Sequence, residues 1–207
     1  MIIMSYFKLE KYINNLKSKI RTFLLRKSFY HIGKNVYIDA SVTFEHPEKI
    51  YIGDGVSICK GCMLDAKTEK EIGIELCDGA RLRENVCIST YNGYVKLGEH
   101  VRIGQNCVIY GQGGVEFGAY SGIASLSFVV ASNHVFTDLN KPFALQGEIN
   151  KGIKIGSNVW GAGNVLILDG TNIGNNAIIG AGSVVRKDVP EGAVVLGNPA
   201  QVAYIRK

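Results

Sequence analysis

An aliphatic residue returns at every sixth position along most of this chain. The hexads include "IDASVT" from Ile38, "IGDGVS" from Ile52, "ICKGCM" from Ile58, "LRENVC" from Leu82, "LGEHVR" from Leu97 and "IGQNCV" from Ile103. After a gap they resume as "IGSNVW" from Ile155, "ILDGTN" from Ile167, "IGNNAI" from Ile173 and "IGAGSV" from Ile179. Six is a multiple of the strand repeat of two and not of the helical 3.6, so the aliphatic residue and the small residue four places later face the same way. Glycine or a small polar residue often fills the second place, which suits a sharp corner between short, flat strands. Three such strands make a triangular coil of about 18 residues, and coils stack at the strand spacing of about 4.8 Å. The periodicity predicts an all-β fold, a parallel β-helix.

A chain of 207 residues is one domain with room for a small appendage. Its 25 glycines against 4 prolines fit frequent tight turns. The net charge of +5 is unevenly placed. Seven basic side chains stand in residues 1–30 (Lys8, Lys11, Lys17, Lys19, Arg21, Arg26, Lys27) against one acid, Glu10, so the remainder sums to −1. That distribution excludes a globally basic nucleic-acid surface. No apolar run reaches the roughly 18–20 residues of a membrane span, and "MIIMSYFKLEKY" lacks the order of a secretory signal. The five cysteines (Cys59, Cys62, Cys77, Cys87, Cys107) fall inside the repeats, as free thiols of a cytoplasmic protein would. "CKGC" puts Cys59 at a corner and Cys62 inward with no second Cys/His pair following, so no metal is expected.

Residues 1–30 form a separate N-terminal unit ahead of the β-helix at 31–207. Within it, Leu9, Ile13, Leu16, Ile20, Phe23 and Leu24 recur at three-to-four spacing with lysines between, which predicts an amphipathic helix over residues 5–29. Two roles are open to it. The helix caps the exposed end of the coil stack or packs on a neighbouring subunit, or its basic face lies on an anionic membrane near a lipid-linked acceptor.

The six-residue rhythm stops in "VVASNHVFTDLNKPFALQGEINKGIKIG", residues 129–156, for about twenty residues beginning at a histidine. Of the four histidines, His31 and His46 flank the first repeat and His100 sits at an outward position of "LGEHVR", so all three are expected to be solvated surface residues. His134 alone stands at the break. "YGQGG" at 110–114 lacks the βαβ context of a nucleotide loop and is assigned to turns.

The segment 155–207, with Trp160, then "ILDG", "GAGSVV" and "GNPA" in that order, resembles the C-terminal half of the hexapeptide-repeat acyltransferases. The likeness is to the branch that holds galactoside, maltose, xenobiotic and polysaccharide O-acetyltransferases, and the repeats extend it back to about residue 32. The resemblance implies a left-handed β-helix, a homotrimer with active sites between subunits, and acetyl-coenzyme A as donor. It also implies a protruding loop, here 133–152, with the catalytic histidine at its start, here Asn133-His134. Imidazole, with an unperturbed pKa near 6.5, is suited to take the proton of an acceptor hydroxyl and return it to the departing thiolate. Asn133 is a candidate oxyanion donor. Asp138 and Glu148 share the loop, and Asp138 is the favoured carboxylate to orient the ring. All five cysteines precede the histidine in repeat positions, which favours direct transfer over a covalent thioester.

By motif position, the resemblance puts the coenzyme on Trp160, Gly163, Ala181, Arg186 and Lys187. The arginines that often follow "GNPA" in the family are replaced by Gln201 and Tyr204, with Arg206 or Lys207 as substitutes. Gly161 stands where the family has an aliphatic residue, either weakening the coil or making room for the coenzyme. The loop text "NHVFTDLNKPFALQG" is most like that of polysaccharide and lipopolysaccharide O-acetyltransferases, which implies a carbohydrate hydroxyl as acceptor. Amino-sugar N-acetylation, xenobiotic acetylation and a non-catalytic repeat protein are the alternatives. A metal hydratase on the same fold needs three histidine ligands, and only His100 and His134 lie within the repeats.

Overall fold

The computed structural model describes residues 2–206, and side chains are described for all of these but 2–7, 10, 11, 14 and 15. From His31 the chain winds as a left-handed parallel β-helix of about seven coils with three flat faces. Face A stacks His31–Ile32, Ile50–Ile52, Ile74–Leu76, Val95–Leu97, Val115–Phe117, Ile153–Ile155 and Asn172–Ile173. Faces B and C are built the same way from the second and third strands of each coil. The aliphatic residues of the hexads form vertical columns inside. Ile58, Leu82, Ile103 and Ile123 line up on face B, and Leu64, Ile88, Ile109, Val129 and Ile167 on face C, nearly all fully buried.

Coil length varies more than the hexads imply. Ile50 pairs with Ile74, Val95 with Val115 and Lys154 with Asn172, offsets of 24, 20 and 18 residues. The extra residues sit at corners, where they do not disturb the inward columns.

The corner itself depends on the fourth place of the hexad. Asn35, Gly55, Asn85, Asn106, Asn158 and Asn176 all take left-handed φ there, between 54° and 66°. Asparagine and glycine tolerate that region, whereas a Cβ-bearing bulky residue loses roughly 1–2 kcal/mol. His100, Tyr120 and Leu126 occupy the same place with φ of 57°, 60° and 63°.

The helix, α1 at Ile2–Leu25, caps the first coil, but through the face opposite to its apolar stripe. Ser18 and Thr22 are buried, and Arg21 donates to the carbonyls of Asp39 (2.8 Å), Ala40 (2.6 Å) and Val42. Ser18 Oγ accepts from Ile38 N at 3.3 Å. A terminal coil presents backbone groups with no further strand to pair with, and a guanidinium and a hydroxyl satisfy them where leucines would not. At the other end, Ala193–Leu196 adds to face B in parallel and Gln201–Ile205 returns antiparallel over it. Among the described residues, no helix is long and apolar enough to cross a membrane.

Candidate active site

The excursion leaves the body after the face C strand Phe128–Val130 and returns at Ile153–Ile155 on face A, so its base sits on the edge between these faces. Both ends are fastened. Ala131 O accepts from Gly113 N at 2.8 Å, and Gly152 O accepts from Gly170 N at 2.9 Å. The Asp169 carboxylate of "ILDG" accepts from Lys151 N (3.0 Å) and Gly152 N (2.8 Å). The glycines of "YGQGG" are turn residues with a reason. A Cβ on Gly113 would lie 2.4 Å from Gly152 N, and one on Gly114 would lie 2.4 Å from the Tyr94 ring. Across the insertion, buried Ser121 and Ser127 replace the usual small aliphatic residues and tie the fifth coil to the sixth. Ser121 Oγ donates to Gly156 O at 2.6 Å and accepts from Val159 N at 2.9 Å, while Ser127 Oγ accepts from Val165 N at 3.1 Å.

Immediately above this base, Asn133–His134 pairs antiparallel with Glu148–Ile149. That ribbon sets Glu148 opposite His134, with Nδ1 and Oε1 3.9 Å apart: within ion-pair reach but longer than a hydrogen bond. The Phe143 ring meets the imidazole edge-on at 5.3 Å. With Nδ1 toward Glu148, Nε2 is the nitrogen available to a ligand. Asp138 is not brought to the ring. Its Oδ1 accepts from Asn140 N at 2.9 Å, and its backbone is clamped by Gln146, whose amide also donates to Lys141 O at 2.6 Å. Strand pairing puts residues 134 and 148 opposite each other, so Glu148 is the loop carboxylate set across from the ring.

Asn133 and Arg186 share a cleft of about 280 Å³ with Ser132, Ile149, Lys151, Leu168 and Asp169. Arg186 gets there because Val185 pairs with Ile167, which sets the next residue beside Leu168 at the A/C edge. Lys187 follows it, exposed, at the same corner.

The other coenzyme-directed residues lie on a different edge. Trp160 stands on the outer face of B, 58% exposed, between Gly122 and Ile178. Gly163 and Ala181 stack at the B/C corner, where Gly163 O accepts from Gly182 N at 3.1 Å. Trp160 lines a groove of about 550 Å³ with His100, Arg102, Tyr120 and Gly122. His100 is surface-exposed as expected, but its ring also packs on Tyr120 at 4.9 Å. Both hold the strained corner place, and a bulky residue where asparagine and glycine recur is the clue the sequence offered.

Gly161 has a definite answer. It occupies the inward column of face B, where a Cβ would meet Ile123 Cγ2 at 2.8 Å. The space left by the missing side chain is taken by Ile123, not opened to a ligand. Arg206 is engaged in closing the C-terminus, donating to Asn176 O, and Lys207 lies outside the described residues. His31 stacks on Tyr51 at 4.6 Å, and His46 pairs with Asp65 at 3.1 Å beside Glu45, a cluster on the first two coils, away from the loop.

No protein-family model matches the chain. A protein named "Putative acetyltransferase" from Staphylococcus aureus strain MRSA252 is 38% identical over 126 residues, 58% of this chain and 61% of that one. A "Probable acetyltransferase" of Mycobacterium tuberculosis is 26% identical over 158 residues, 76% of this chain and 50% of that one. Over the matched segments the chain is similar to proteins named as acetyltransferases. It spans about three fifths of the length of the staphylococcal relative. Among solved structures, the N-acyltransferase AntD of Bacillus cereus, in complex with dTDP and 3-hydroxybutyryl-CoA, superposes with a TM-score of 0.64 at 21% identity over 90% of this chain and 88% of that one. The polysialic-acid-specific acetyltransferase NeuO follows with a TM-score of 0.52 at 23% identity over 86% and 87%. At these identities, the two structures speak for the fold alone.

Proposed function

We propose that the chain is a cytoplasmic acetyltransferase that moves the acetyl group of acetyl-coenzyme A to a carbohydrate hydroxyl in surface-polysaccharide or lipopolysaccharide biosynthesis, with His134 as general base. The observation that carries the reading is the His134–Glu148 pair, held on a two-stranded ribbon whose base is fastened to a rigid coil stack. The imidazole takes the hydroxyl proton, the freed oxygen attacks the thioester carbonyl, the C–S bond breaks, and the imidazolium returns the proton to the leaving thiolate. Asn133, one residue away, is the candidate donor to the developing oxyanion. Burial is the leading cause that raises all five cysteine thiols, Cys62 to about 12 and Cys77 to about 11. A set of thiols so hard to ionise supports direct transfer over a cysteine intermediate.

For the donor, Arg186 and Lys187 supply exposed cations for phosphates, and Trp160, Gly163 and Ala181 supply a surface for the pantetheine arm. One protomer keeps these on two edges, and a cyclic assembly brings them together. Face C carries an outward column of Met63, Cys87, Val108, Phe128, Leu166 and Val184, with Met63 and Phe128 exposed. In a trimer that turns this face toward an axis parallel to the coils, the A/C edge of one copy lies beside the B/C edge of the next. His134 and Arg186 of one subunit then face Gly163 and Ala181 of its neighbour. The loop's exposed apolar residues, among them Phe136, Phe143 and the 96% exposed Leu139, fit the same arrangement as a contact with that neighbour.

The test is to give purified protein acetyl-coenzyme A with a panel of sugars, amino sugars included, and follow thiol release. Turnover of hydroxyl acceptors that His134→Ala abolishes supports the reading. Turnover of amines alone would move it to N-acetylation, and no coenzyme binding by calorimetry would overturn it.

A further inference from the structure

We propose that α1 lies in the surface of an anionic lipid bilayer through the face it turns away from the β-helix. The proposal does not depend on the reading of the active site. At about 100° per residue, Leu9, Ile13, Leu16, Ile20, Phe23 and Leu24 fall within one stripe, directly opposite Ser18 and Thr22, the residues that seat the helix on the first coil. The stripe is bare: Phe23 is 77% and Leu24 70% exposed, and the other four are exposed as well. A helix that is fastened through serine, threonine and arginine while leaving its leucines in water has a second partner to meet.

Charge decides which partner. Lys17 and Lys19 stand roughly 80° to either side of the stripe and are exposed, as is Lys8. Two such stripes packed face to face would set lysine against lysine along both flanks, the positions where helix pairs place opposite charges. An anionic lipid surface accepts both flanks at once. Lysine stems lie along the apolar stripe while the ammonium groups reach the headgroups. The charge distribution agrees, since residues 1–30 carry seven basic groups and one acid while the rest of the chain is close to neutral. With the helix fixed across the end of the coil stack, the stack stands away from the membrane and the loop stays clear of it.

The experiment is flotation of the full chain with vesicles of phosphatidylglycerol and phosphatidylcholine against vesicles of phosphatidylcholine alone. Binding is expected to the anionic vesicles, roughly fivefold weaker for each lysine lost in Lys17→Gln and Lys19→Gln, and weakened as salt is raised. Leu16→Ser with Phe23→Ser should lose at least tenfold with an unchanged melting temperature, because both side chains are exposed on the face opposite Ser18 and Thr22. Equal binding of wild type and the double variant, or equal binding to both vesicle types, would overturn the proposal. So would an absence of vesicle binding accompanied by self-association that the Leu16→Ser, Phe23→Ser variant abolishes, which would assign the stripe to a second copy.

Discussion

The coil stack and the excursion from it are made on opposite plans. In the stack, nearly every hexad contributes an aliphatic side chain at or near zero exposure, and the backbone of each inner coil bonds to the coils on either side. Between Asn133 and Lys151 no residue is buried, and order comes from one short ribbon, a single turn of 3-10 helix and the Gln146 amide. The stack turns the aliphatic columns of its hexads inward. The loop presents Phe136, Leu139, Phe143 and Leu145 outward. A fixed frame with a reaching arm is an economical way to hold a base at one place while another surface closes on it. On that division, substitutions in the arm change activity with little change in stability, and substitutions in the frame do the reverse.

His134→Ala tests the arm most severely. Steady-state thiol release should fall roughly 10²–10⁴-fold, with the circular dichroism spectrum and melting temperature unchanged. A retained rate would remove the histidine from the chemistry. In the frame, Ile88→Ala deletes a fully buried side chain from the face C column and should cost about 2–5 kcal/mol in chemical denaturation. Leu139→Ala in the arm should change stability by less than about 0.5 kcal/mol. Gly161→Ala should overpack against Ile123 and cost about 1–3 kcal/mol. Glu148→Gln is expected to lower kcat on the order of tenfold by releasing the imidazole, with Asp138→Asn close to wild type. Equal effects of the two would mean that the ribbon pairing does not orient the ring. One substitution in the frame should be a gain. Leu126→Asn relieves a left-handed corner and should raise stability by up to about 1 kcal/mol.

The repeat made the architecture legible because a period of six admits few folds, and it located the excursion as the place where the period fails. The amphipathic helix was legible for the same reason, through its own period. Less visible was which side of each would be used. The apolar stripe of α1 reads as a packing face. Yet the open coil offers backbone carbonyls and N–H groups, and Ser18 and Arg21 answer these while the stripe remains outside. The site divides likewise. The break in the rhythm singles out His134, but the choice between Asp138 and Glu148 rests on a strand pairing across fourteen residues.

Gly161 marks the boundary between the two kinds of information. By itself, the sequence determined, through its resemblance to the family, that an aliphatic residue was missing at this place. Only the packed structure decided that Ile123 from the coil before fills the place. The same holds for Trp160 and Arg186, which motif order links to one ligand but which the coils set on separate edges. A periodic sequence fixes what each residue does within its own coil, because that depends on neighbours a few positions away. What meets across coils and edges depends on coil lengths and corner insertions, which the period leaves free.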